Sequence, residues 1–339
     1  MEHGSRKISL RALAVEIQLA GSESIHFQPA VFRNEAGVYR SAVNTLQRVA
    51  IGSSAHAELQ NDWLLFWAAR EQKRSLIMKT MIYYFSATGN SLHVARKIAA
   101  KLGKCTLVSI PELCESATIT TDAERVGFVF PTHYFGLPPL VSSFISKLEA
   151  NNASYLFAVA TSGSTRHLSS AIRQAAVLLK KQGRKLDAGF HIDMISSYTP
   201  LSDLPPVDKM NTKLEQAELA IEKAANAISA LRGNHEAEHF WLPFDAINKY
   251  WQRKLLPQAH RKFSCTDACI SCGNCEAVCP VNNISLQEGK PQWRENCQEC
   301  LACLHFCPVK CIEFGSHTTG RKRYHHPKIA YTDLLIPKK

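Results

Sequence analysis

No run of about 20 apolar residues occurs anywhere in the 339-residue chain, and the longest uncharged apolar stretch, 63–69, is far too short to cross a bilayer. No membrane span is expected. Arg11 and Glu16 interrupt the place where a secretory leader would need its apolar core, so the expected compartment is the cytoplasm. No GxGxxG occurs, which argues against a directly bound nicotinamide dinucleotide. Acidic residues are few, 29 against 40 Lys and Arg, for a net charge of +11. Such an excess often marks nucleic-acid binding, but its distribution argues otherwise. The segment 265–308 holds two basic residues (Lys290, Arg294) against five acidic ones (Asp267, Glu276, Glu288, Glu295, Glu299) and would repel phosphate. The surplus lies on its flanks, from Lys249, Arg253, Lys254, Arg261 and Lys262 to Lys310, Arg321, Lys322, Arg323 and Lys328, and reads as a solvated surface. No nucleic-acid partner is expected. Hydrophobic residues at 45% and charged residues at 20% fit a globular chain, and the length predicts about two domains.

Cysteine is abundant but unevenly placed. Ten of the twelve fall between Cys265 and Cys311. Cys269, Cys272, Cys275 and Cys279 form CISCGNCEAVCP, and Cys297, Cys300, Cys303 and Cys307 form CQECLACLHFCP, so each run reads CxxCxxCxxxCP. Three thiolates two residues apart can wrap one face of an iron–sulfur cubane. A disulfide framework suits a cytosol poorly, and zinc sites usually draw on two separated cysteine pairs, so iron–sulfur outweighs both. The segment resembles the bacterial two-cluster ferredoxins over about fifty residues, with Pro280 and Pro308 in place. That resemblance implies crossed ligation, in which the fourth cysteine of each run serves the other cluster. One [4Fe-4S] cluster is then assigned to Cys269, Cys272, Cys275 and Cys307, and the second to Cys297, Cys300, Cys303 and Cys279. Cys105, Cys114, Cys265 and Cys311 are expected to be packing residues without metal.

From Met81 onward, short apolar runs alternate with helical periods, the pattern of a parallel sheet covered on both faces. Candidate strands are 81–85, 106–110, 126–130, 155–160 and 188–195. Apolar stripes mark the helices between them, for example Leu92, Ala95, Ile98 and Leu102, or Val141, Phe144, Ile145 and Leu148. The turn after the first strand carries Ser86, Thr88, Gly89, Asn90 and Ser91 at the start of a helix, where backbone N–H groups and hydroxyls form an anion cradle. The sequence FSATGNS in this strand order looks like the flavodoxin phosphate loop, and so implies flavin mononucleotide (FMN). By the same resemblance, Pro131, Thr132, Tyr134, Phe135 and Gly136 after the third strand, and Thr161 and Gly163 after the fourth, flank the isoalloxazine ring. Tyr134 is the preferred stacking residue. Ser162 stands where many flavodoxins carry an aromatic residue, so one ring face is expected to be open to the iron–sulfur module or a substrate.

The fold class expected is α/β, a flavodoxin-like doubly wound five-stranded parallel sheet followed by a small ferredoxin-like α+β domain. Its boundaries are a weakly ordered extension or mis-assigned start over 1–77, a flavodoxin-like domain over 78–233, an aromatic linker over 234–262 that docks on it, a ferredoxin domain over 263–315 and a basic tail over 316–339. The linker carries Phe240, Trp241, Phe244, Tyr250 and Trp251, and the tail's charged run is expected to lie solvated. As a whole the chain resembles flavodoxin-like/ferredoxin fusion proteins, which implies electron relay between FMN and two [4Fe-4S] clusters, with a redox protein or a small organic donor or acceptor as partner. Two rivals are a flavin-dependent reductase using His133 or Tyr134 as proton donor, and a redox-sensing or assembly module docking through the basic flanks.

Overall fold

The computed structural model describes residues 77–163, 169–234 and 242–335. Every described residue belongs to one compact unit within Ala68–Lys339. The extension expected over 1–77 lies outside the described residues apart from Ile77, as do Phe240 and Trp241.

Five strands form one parallel sheet: β1 (Thr80–Tyr84), β2 (Cys105–Ser109), β3 (Arg125–Pro131), β4 (Tyr155–Ser162) and β5 (Ala188–Asp193), in the order β2-β1-β3-β4-β5. This is the doubly wound order that the flavodoxin resemblance implies. Every residue of β4, and all of β3 except Pro131, is buried, because helices cover both faces. On one face, α1 (Asn90–Leu102) and α4 (Val207–Ser229) bring Ala95, Ile98, Ile221 and Ile228 against Ile82, Val129 and Val159. On the other, α2 (Pro139–Lys147) and α3 (Ala171–Lys181) bring Phe144, Ile145, Ile172 and Leu179 against Phe128, Phe130 and Ala158. No helix among the described residues is long and apolar enough to cross a membrane.

Between the halves, α5 (Leu242–Tyr250) continues into a π-helical turn, Trp251–Leu255, and a 3-10 stretch, Leu256–Lys262. This segment lies against the sheet's carboxyl edge. Phe244 packs on Phe135 at 4.8 Å between ring centroids, and the Asn248 amide donates to the His133 carbonyl at 2.9 Å. The cysteine-rich half is held by β6 (Phe263–Cys265) paired antiparallel with β9 (Ile312–Phe314), and by the hairpin of β7 (Ile284–Gln287) and β8 (Lys290–Trp293). Two single-turn helices, α6 (Asn274–Ala277) and α7 (Ala302–His305), each carry one cysteine.

Beyond β9 the chain departs from the solvated run its charge suggests. Thr318, Tyr324, His326 and Ile329 are buried, and the segment returns across the start of α1. The apolar and aromatic positions within the basic run decide its course, while Arg321 and Lys322 stay at the surface as donors to Thr199 and Asp203.

Candidate functional site

The two cysteine runs fold around two small pockets. Cys269, Cys272 and Cys275 line the first together with Cys307. Cys297, Cys300 and Cys303 line the second together with Cys279. The fourth cysteine of each run is thus carried across to the other run's cavity, as Pro280 and Pro308 end the single-turn helices. Burial pushes Cys275 up to about 11 and Cys297 to about 12, and raises Cys279, Cys300 and Cys303 as well. Thiolates in such surroundings require a cation, and this donor set fits iron. Backbone N–H groups already point at sulfur: Asn283 donates to Cys279 Sγ at 3.2 Å and Glu299 to Cys297 Sγ at 3.4 Å.

Cys311 is a residue the spacing did not single out. It lines the first cavity, with its Sγ 3.4 Å from Cys307 and 3.5 Å from Cys265. The sulfurs of Cys265, Cys269 and Cys311 all lie within 4.8 Å of one another. Its four-residue step from Cys307 sets it outside the repeat, where it is expected to pack without metal, and a turn after Pro308, closed by the Lys310 N–H on the Cys307 carbonyl, returns it to the cavity.

At the sheet's carboxyl edge, the loop 86–91 joins β1 to α1. Gly89 holds φ +93°, a left-handed conformation that a side chain adopts only under strain, and no side chain caps the helix it precedes. Its N–H donates to Ser86 Oγ at 3.1 Å. Ser91 Oγ is bonded to Thr161 Oγ1 at 2.8 Å, so the two hydroxyls share one interaction between loops expected to bind separate parts of one ligand. Thr88 and Asn90 are buried, and Asn90 Nδ2 reaches the Ile195 carbonyl at 3.0 Å.

The loop after β3 places Pro131 at the strand end, and the Thr132 N–H on the Thr161 carbonyl at 2.8 Å. His133 and Gly136 exchange backbone hydrogen bonds, which forces Tyr134 and Phe135 to φ +42° and +65°. Gly136 faces Asn248 and Gly163 faces Ser196 too closely for any side chain. Ser164 lies outside the described residues.

Tyr134 stacks on Trp251 at 4.7 Å and 12°, so one ring face is covered and only the other can meet a flavin. Its hydroxyl lies against that of Tyr198 and donates to Glu299 Oε1 at 3.0 Å. Tyr198 donates to the same oxygen at 2.8 Å, and Trp251 Nε1 to Oε2 at 3.2 Å. Burial, with Glu299 beside it, pushes Tyr134 up to about 12. Trp251 and Glu299 are 1% and 4% exposed, so the carboxylate has been taken out of water and is held by three donors. Neither Tyr198 nor Glu299 announced itself in the sequence, since each acquires its role from a neighbour over 60 positions away.

Several buried polar atoms at this edge have no partner among the described residues: His133 Nδ1, Ser162 Oγ, Ser170 Oγ, Asp193 Oδ1 and Thr199 Oγ1. They lie at or just beyond the carboxyl ends of β3, β4 and β5, where an α/β sheet binds ligands. Buried polar groups are rarely left unsatisfied, so this edge fits a ligand rich in hydrogen-bonding groups, as the ribityl chain and ring edge of FMN are. The uncapped N-terminus of α1 fits its phosphate.

Comparison with known proteins agrees with both halves. Residues 81–191 match the family model of a flavodoxin domain, and residues 266–285 that of a 4Fe-4S binding domain. A ferredoxin of Pyrobaculum islandicum is 45% identical over 56 residues, which are 16% of this chain. The chain covers 51% of that ferredoxin, about half its length. A solved flavodoxin from the domain Archaea is 16% identical, with 43% of this chain and 98% of that chain covered at a TM-score of 0.24. The chain therefore carries a flavodoxin domain and a 4Fe-4S ferredoxin domain in one polypeptide, a pairing that supports an electron-transfer role.

Proposed function

We propose that this protein relays electrons between an FMN at the carboxyl edge of the sheet and two [4Fe-4S] clusters in the ferredoxin domain. The observation that carries the reading is the sorting of the eight cysteines of the two runs, four to each cavity in crossed sets with Cys311 as a fifth in the first, within the compact unit that also holds the uncapped helix and the polar edge. Cys269, Cys272, Cys275 and Cys307 would hold one cluster, and Cys297, Cys300, Cys303 and Cys279 the other. The N–H groups of the loop 86–91 would hold the phosphate. Thr132, Tyr134, Gly136, Thr161 and Gly163 would border the ring. When bound, a flavin exchanges electrons in pairs or singly, and each cubane exchanges one at a time.

The chain's own residues join the two sites. Glu299, between Cys297 and Cys300, accepts from Tyr134, Tyr198 and Trp251 and so fixes a cysteine loop against the flavodoxin edge. Ala87 packs with Val278, Ala302 and Phe306, which excludes water between the phosphate loop and the two cysteine-bearing turns. Partners would be a redox protein or a small organic donor or acceptor. No observation favours the reductase alternative: burial pushes His133 down to about 4, leaving it neutral, and the Tyr134 hydroxyl is engaged by Glu299.

The test is anaerobic rapid mixing of the loaded protein with a limiting one-electron reductant, following iron–sulfur and flavin absorbance together. Exchange between the two at a rate independent of protein concentration supports the relay. A rate proportional to protein concentration, or no exchange, refutes it.

A further inference from the structure

The segment that follows the ferredoxin domain touches the phosphate loop at three successive residues. Tyr324 Oη donates to Asn90 Oδ1 at 2.7 Å, the His326 N–H donates to the Thr88 carbonyl at 2.8 Å, and Ile329 fills the space over Gly89. A Cβ at Gly89 would lie 2.9 Å from Ile329 Cβ and 3.1 Å from His326 Cβ. Tyr324, His326 and Ile329 are 6%, 2% and 2% exposed, so these are interior contacts. Two ion pairs anchor the segment to the flavodoxin domain: Arg96 with Asp333 at 2.7 Å and Lys328 with Glu218 at 2.8 Å. Its other side belongs to the ferredoxin domain, where the Tyr324 N–H donates to His305 Nδ1 at 3.1 Å and His325 stacks on Phe306 at 5.3 Å.

An anion cradle binds well only if its N–H groups already point the right way before the anion arrives. The loop 86–91 has a left-handed residue at its centre and no side-chain cap of its own. Beyond the Gly89 N–H bond to Ser86 Oγ and the ties of Asn90 and Ser91 to Ile195 and Thr161, its shape is set by what packs on it.

We propose that Tyr324, His326 and Ile329 are positioning residues for flavin phosphate binding, pre-organising the loop 86–91 from the segment that follows the ferredoxin domain in the chain. The inference rests on the FMN reading above. It makes phosphate affinity a property of the fused chain, since the clamp is held in turn by the cysteine-bearing turn of His305 and Phe306.

Because the clamp acts on the phosphate loop, it should alter binding of FMN and leave binding of riboflavin, which lacks the phosphate, unchanged. The experiment titrates flavin-depleted, iron-loaded protein with each flavin by fluorescence quenching, for wild type, Tyr324→Phe and Ile329→Ala, with iron counted on every sample. Loss of one hydrogen bond or one packing group predicts a fall of about fivefold in the ratio of FMN to riboflavin affinity. Iron content should be the same in all three. An unchanged ratio in both variants overturns the clamp while leaving the FMN reading intact. Equal weakening of both flavins, or loss of iron with flavin, also overturns it, because that is general structural damage. Failure of the wild type to bind FMN overturns the flavin reading itself, and the clamp with it.

Discussion

The two halves complete their sites over different sequence distances. Each cysteine cavity is built from residues within the interval 263–312, and the resemblance of their spacing to two-cluster ferredoxins implies how they sort. The flavodoxin edge is completed from afar. Asn90 is met by Tyr324, 234 positions away, Tyr134 by Glu299, 165 away, and the His133 carbonyl by Asn248, 115 away. Metal ligation demands fixed sulfur positions, so it writes itself into a local repeat. Shaping a loop demands only that some suitable surface arrive, and that surface can come from anywhere in the chain.

The largest effect that would break this contrast is at Cys307. Cys307→Ala should lower iron from about eight to about four atoms per chain. Cys269, Cys272 and Cys275 should then react with an alkylating agent, while Cys297, Cys300 and Cys303 stay protected. Mass spectrometry reads the pattern, and the reverse protection would mean that ligation is not crossed. Next is Trp251→Ala. The indole is buried, stacked on Tyr134 and bonded to Glu299, so its removal should cost about 3–5 kcal/mol in denaturant unfolding. A loss near zero would show that the segment between the halves is dispensable.

Gly89→Ala should be milder in stability, at about 1–3 kcal/mol, because the new methyl meets Ile329 and a backbone at φ +93°. It should also abolish FMN retention. Unaltered flavin content would show that the loop tolerates reshaping.

The smallest effect is one of pH. His93 and His326 stack at 4.0 Å, with Glu218, Lys97, Lys328 and His325 around them. Burial, then His93 and Lys328, pushes His326 down to about 3, and burial lowers His93 against the pull of Glu218. An unfolded histidine takes up its proton near pH 6.5, so below that pH the unfolded chain binds more protons. The stabilisation is whole above about pH 6.5 and is lost as pH falls toward the folded values, at up to about 1.4 kcal/mol per pH unit for His326. Denaturant midpoints at pH 7 and 5.5 should show the drop, and His326→Asn should reduce it.

The same contrast explains what could be read in advance. Continuous runs such as 126–130 and 155–160 gave the central strands to within two residues, since strands buried on both faces are apolar throughout. CxxCxxCxxxCP, through its resemblance to two-cluster ferredoxins, pointed to the cysteines that line each pocket, and FSATGNS to the loop at the start of α1. Charge misled at 321–328, where Tyr324 and His326 are interior residues within a basic run. Glu299 reads as one more acid in a cysteine loop until Tyr134, Tyr198 and Trp251 surround it. Long-range partners leave no periodicity, so only the fold reveals them.

The most direct test is to purify the protein anaerobically and measure iron, acid-labile sulfide and flavin on the same sample. The account predicts about eight irons, about eight sulfides and one FMN per chain. Eight irons with no flavin, even after FMN is supplied, would contradict it and leave a ferredoxin joined to a flavodoxin fold that binds nothing.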